Sequence, residues 1–135
     1  MSSYRDISLR DLDDAMFCLK SGRYRLAVLS FQQFAEKSAK ALLEKKSPEH
    51  KLLRSHFVEK ILQAYDPEHK TSEIGDKARY LTSFYFDCRY PGDNYTEIEE
   101  AQAQRAYKFA LELNEYFIAE LAKLKEIVDS EQLNL

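Results

Sequence analysis

The chain has no tryptophan and only three glycines and three prolines among its 135 residues. So few turn formers leave little room for the repeated tight reversals of a β-rich or loop-rich fold, and suit long helices instead. Cysteine is scarce too: Cys18 and Cys88 stand far apart, with no CxxC or other metal spacing. That excludes a disulfide scaffold and a zinc module, and leaves two free, largely buried thiols in a reducing cytoplasm. No apolar run approaches the roughly 18 residues of a membrane span, and the start MSSYRDISLRD is too polar for a signal peptide. A cytoplasmic protein without membrane contact is expected. An excess of one charge is lacking as well, since 20 Lys and Arg against 23 Asp and Glu give a formal net charge of -3. No broad electrostatic surface for DNA follows from that balance, and any nucleotide or RNA contact needs a local basic patch. The length fits a single domain, residues 1–135, able to bury a core without staples.

What the chain does have is helical periodicity. In the stretch Tyr24 to Lys46, the residues Tyr24, Ala27, Phe31, Phe34, Ala35, Ser38 and Leu42 recur at steps of mostly three or four. At about 100° per residue they line one helix face, while Gln33, Glu36, Lys37, Lys40 and Glu44 occupy the other. Pro48 ends the helix. Leu26 and Leu29 point toward the polar side and imply a second contact, with another subunit.

The remaining elements read in the same way. Ser8 with Asp11 makes a weak capping box for a first helix over residues 8–20, closed by Ser21-Gly22. The short turn there forces the first two helices antiparallel. Leu53, Phe57, Ile61 and Tyr65 keep a spacing of four in a third helix, and Ile74, Ala78, Leu81, Tyr85 and Cys88 form a fourth. Residues 89–94 (RYPGDN) make a turn, and Thr96 with Glu99 is a capping box opening a last helix over about residues 96–129. That helix spans roughly 50 Å at about 1.5 Å per residue, so its last turns, about 125–135, are expected to project or fray. Leu111 and Ile118 widen its apolar arc and point to burial against more than one neighbour. The expected fold is all-α, an up-and-down antiparallel bundle of four to five helices.

The pieces GRYRLAVLSFQQFAEKSAKALL, Ser55-His56-Phe57, FYFDCRYPGDNY and EEAQAQRAYKFA, in that order over residues 8–120, resemble the HEPN domain family. The resemblance implies a helical bundle, usually a homodimer, often encoded beside a minimal nucleotidyltransferase in modules that look like toxin and antitoxin pairs. It also implies that Glu36, Lys37 and Lys40 coincide with recurring polar positions facing the dimer cleft. Many members are metal-independent ribonucleases with an Arg-x(4 to 6)-His motif at the start of the last bundle helix. Here Arg89 is followed five residues later by Asn94, and the three histidines, at 50, 56 and 69, leave no arginine with a partner at that spacing. Asn exchanges no proton near neutral pH, so a non-catalytic member is expected. In some nucleases a tyrosine beside the motif is adenylylated; Tyr95 lies one residue short of that position.

Arg89 ends an apolar helix in a rigid turn, which suits a two-pronged grip on phosphate, with Tyr90 for stacking and Asp93 as a ring or ribose partner. A salt bridge from Arg89 to Glu36 or Asp87, with Tyr90 in the core, explains the same residues. Asn94, Glu36, Lys37 and Lys40 complete the candidate ligand-binding set; for Glu36 and Lys40, a favourable i to i+4 pair on a solvated face is the plainer account. His56 follows the N-cap candidate Ser55 and satisfies a nearby carbonyl or polar side chain, or else, folded near Arg89, serves as the unrecognised base of a metal-independent RNA endonuclease. No metal site, cofactor motif, Gly-rich phosphate loop or GxSxG is visible.

Overall fold

The computed structural model describes residues 3–68, 72–89 and 97–133, apart from the side chains of residues 72, 89 and 133. Its elements are α1 (Tyr4–Lys20), α2 (Tyr24–Lys46), a 3-10 turn (Lys51–Arg54), α3 (Val58–Tyr65), α4 (Ser72–Arg89) and α5 (Glu100–Leu133). Among the described residues there is no strand, and no helix is long and apolar enough to cross a membrane.

Helix α1 starts a turn earlier than Ser8 suggests, because a better capping box lies upstream. The Ser3 hydroxyl accepts the Asp6 N–H at 3.1 Å, and the Asp6 carboxylate accepts the Ser3 N–H at 3.3 Å. The hydroxyl of Ser3 also holds the Asp6 carboxyl below its ordinary pKa. Ser8 is buried inside the helix and spends its hydroxyl on the Arg5 carbonyl at 2.7 Å. At the other end Gly22 takes φ +73°, which only glycine adopts without cost. Its N–H reaches the Leu19 carbonyl and that of Arg23 the Cys18 carbonyl, so a Schellman turn folds α2 back on α1.

Helix α2 packs against α1, α3, α4, α5 and the 3-10 turn. Its apolar face, Ala27, Phe31, Phe34, Ala35 and Leu42, is fully buried beside Leu81, Leu113 and Phe117. The ring contacts Phe31–Tyr107 and Phe34–Phe117 follow one another in the same direction along α2 and α5, so these two helices run parallel. Helices α1 and α4 run against them: Arg5 bonds Ser38 and Asn114, while Lys77 pairs with Glu112 and Tyr80 with Gln102. The four long helices therefore alternate up and down, as expected, with the short α3 lying alongside α2 and α4.

Two local expectations fail. The four-residue spacing from Leu53 to Tyr65 is broken, since Leu53 lies in the 3-10 turn and residues 55–57 are not helical. Ser55 Oγ accepts the Phe57 N–H at 3.0 Å, a local bond that competes with helix, and Phe57 stays 36% exposed rather than entering the core. Helix α3 then starts on a cap from another element, the Val58 N–H donating to Thr82 Oγ1 at 3.2 Å. Helix α5 starts at Glu100, not at residue 96, and the Glu99 N–H is taken by Gln102 Oε1 at 2.9 Å. The expected Thr96 cap lies outside the described residues. Both thiols are free; Cys88 is fully buried, which raises its pKa, and Cys18 is half-buried.

Candidate functional site

The polar face of α2 is not solvated along its middle. Gln32, Glu36 and Lys40 stand at steps of four and are all buried, under a lid formed by His56 and Tyr85. Glu36 is the centre of this cluster. One carboxylate oxygen accepts from Gln32 Nε2 at 3.1 Å and from His56 Nδ1 at 3.0 Å, and the other from Lys40 Nζ at 3.2 Å. The side chains of Glu36 and Lys40 are 5% and 9% exposed, so the pair is an internal ion pair and not the surface i to i+4 bridge that its spacing suggests. Lys37 lies apart, bridging to Asp11 of α1 at 2.8 Å.

The same cluster orients His56. Since a carboxylate only accepts, His56 carries its proton on Nδ1, which leaves Nε2 as the second ring nitrogen. The ring stacks on Tyr85 at 4.2 Å and 17°, yet the side chain remains 43% exposed. An imidazole held by a carboxylate at one nitrogen and open on its other side is the geometry a proton carrier needs. His50 serves structure instead, its Nδ1 accepting the Leu52 N–H at 3.0 Å. No cluster fit to hold a metal occurs among the described residues.

A second feature lies at the start of α2. A groove of about 420 Å³ is lined by Gly22, Arg23, Tyr24, Arg25, Leu26, Glu97 and Ile98. Among the described residues no side chain caps helix α2 and its first turn holds no acidic residue, so its N-terminal N–H groups and two arginines make this end positive, against the one carboxylate of Glu97 in the groove. Arg25 Nε is buried without a hydrogen-bond partner among the described residues. The guanidinium is near enough to α4 to lower the Cys88 thiol pKa slightly against the dominant effect of burial.

Of the residues singled out from the sequence, Glu36 and Lys40 meet at the internal cluster. Arg89 is the last residue of α4, one position beyond Cys88, and its side chain lies outside the described residues, as do Tyr90, Asp93, Asn94 and Tyr95. Gln32, Tyr85, Arg23 and Arg25 escaped sequence reading. The signal for Gln32 was available, because a polar residue four before Glu36 extends the Glu36 to Lys40 ladder by one rung. For Tyr85 there was none beyond its place in an apolar stripe.

The HEPN domain family model matches residues 1–122. The crystal structure of ST0689, an archaeal HEPN homologue, superposes with a TM-score of 0.69 at 26% identity, covering 89% of this chain and 98% of that one. No curated protein matches the chain. With its family match over most of its length and a bundle of the same fold, the chain belongs to the HEPN domain family.

Proposed function

We propose that this HEPN domain is a non-catalytic binding module, a homodimer that holds a nucleotide or RNA phosphate and acts with a minimal nucleotidyltransferase in a toxin-antitoxin-like module. The observation that carries the phosphate reading is the groove at the start of α2, with Arg23, Arg25 and an uncapped helix end converging where α4 finishes and α5 is about to begin. Guanidinium groups and free N–H groups are the donors that phosphate oxygens take best. The missing histidine after Arg89 favours binding over cleavage. Leu26, Leu111 and Ile118, at 44%, 39% and 55% exposure, are apolar surface that a second subunit would cover.

Calorimetric titration with inorganic phosphate, AMP and a short single-stranded RNA tests the site. A single charge-assisted contact contributes about 1.5–3 kcal/mol, so Arg25→Ala and Arg89→Ala should each weaken binding at least about 10-fold. Unchanged affinity in both variants would remove this end of the bundle from the site. One observation favours a second reading, a metal-independent RNA endonuclease: the carboxylate-oriented, half-open His56. The same protein incubated with RNA in EDTA decides between them. No cleavage is expected; cleavage abolished by His56→Ala would make the enzyme reading the right one.

A further inference from the structure

Four rings touch in sequence where the start of α3 meets α4. His56 stacks on Tyr85 at 4.2 Å, Tyr85 meets Phe86 edge-on at 5.0 Å and 80°, and Phe86 lies 5.4 Å from Phe57 at a tilt of 34°. Within this row only Tyr85 is buried; the His56 side chain is 43% exposed, and Phe86 and Phe57 are 45% and 36% exposed. The core of α4, Ala78, Leu81, Phe84, Tyr85 and Cys88, needs neither ring. The backbone that carries Phe57 is nevertheless tied down, and Phe86 stands on α4 against Tyr85 and Phe57. Ser55 Oγ bonds the Phe57 N–H, Thr82 Oγ1 bonds the next N–H along, and His56 is pinned between Glu36 and Tyr85. Lys60 places its ammonium over the Phe57 ring, 4.4 Å from the ring centre, so a cation stands beside the pair of rings. Of the nearby carboxylates, Glu36 is paired with Lys40 and His56, Glu59 accepts a hydrogen bond from Thr82, and Asp87 follows Phe86 on α4.

Resting on the phosphate-ligand reading above, we infer that Phe57 and Phe86, flanked by His56 and Lys60, form a platform on which an unpaired nucleobase of a single-stranded RNA stacks. Fixed rings with an adjacent cation are what base stacking requires, and little conformational freedom is lost when a base settles on them. The aliphatic patches Leu9, Leu111 and Ile118 lack this chemistry and suit a protein surface. Phe86 precedes Arg89 by three residues on α4, so the platform lies one helical turn from the end that would meet phosphate.

Because the chain has no tryptophan, Phe86→Trp introduces a single indole whose fluorescence reports stacking directly. Titration with a short oligoribonucleotide should quench it, while inorganic phosphate should not. Phe57→Ala and Phe86→Ala should each weaken RNA binding about 10-fold, with affinity restored by Phe86→Tyr but not by Phe86→Leu, and phosphate affinity unchanged. RNA affinity unaltered in both alanine variants overturns the platform and leaves the phosphate reading intact. Alanine variants that halve the particle mass in light scattering without altering RNA affinity overturn it in favour of a subunit contact. A wild-type protein that binds neither RNA nor phosphate overturns both.

Discussion

Glu36→Ala is expected to cost about 3–5 kcal/mol of folding stability, the penalty for stranding the other half of a buried ion pair. The loss arises from what remains behind. With the carboxylate gone, Lys40, 9% exposed, loses its counter-charge, and Gln32 and His56 each lose the Glu36 oxygen to which they donate. A domain of this size is stabilised by about 5–15 kcal/mol in total, so the change consumes a large share of it. In thermal unfolding it should appear as a fall of about 10–20 °C. Glu36→Gln keeps an acceptor for one neighbour and should fall between wild type and alanine. Glu36→Leu combined with Lys40→Leu removes both charges and should recover most of the loss, as apolar replacement of a buried pair generally does. A Glu36→Ala loss below about 1 kcal/mol, the range of exposed pairs, would mean that water reaches this carboxylate and that the lid of His56 and Tyr85 is open in solution.

Phe34→Ala and Phe117→Ala should each cost about 3–5 kcal/mol, for a different reason. Both rings are fully buried and meet edge to face, 5.9 Å apart at 76°, across the contact between α2 and α5. Truncating either leaves a void that the surrounding core, in which Leu113 and Leu42 are also fully buried, cannot close without giving up its own packing. The pair geometry adds about 0.5–1.5 kcal/mol beyond burial, so the double variant should lose less than the two single losses added together, by about that amount. Denaturant titration measures this, with an unchanged slope indicating that the folded and unfolded states keep their surface difference. Strict additivity would show that the two rings do not interact and that the α2 to α5 contact is looser than the packing here.

The bounds of α2 were legible because Gly22 and Pro48 are physical stops and the intervening apolar steps match a helical turn. The start of α1 is not at Ser8 because two candidate boxes follow one another in sequence, Ser3 with Asp6 and Ser8 with Asp11, and the upstream one forms while Ser8 bonds back to the Arg5 carbonyl. The third stripe failed because a Ser hydroxyl two residues before Phe57 competes for the backbone, which a four-residue spacing cannot register.

Spacing, composition and turn residues were sufficient to determine an all-helical chain and the antiparallel fold-back at Gly22, because each depends on neighbours within a turn or two of chain. Tertiary structure alone decided that Glu36 and Lys40 are internal. An oppositely charged i to i+4 pair has the same spacing in sequence whether water or another part of the fold lies over it, and here His56 and Tyr85, distant along the chain, close over it. It likewise decided that Phe57 faces outward beside Phe86, since which side of a ring is left open depends on where α4 passes, and no local preference carries that information.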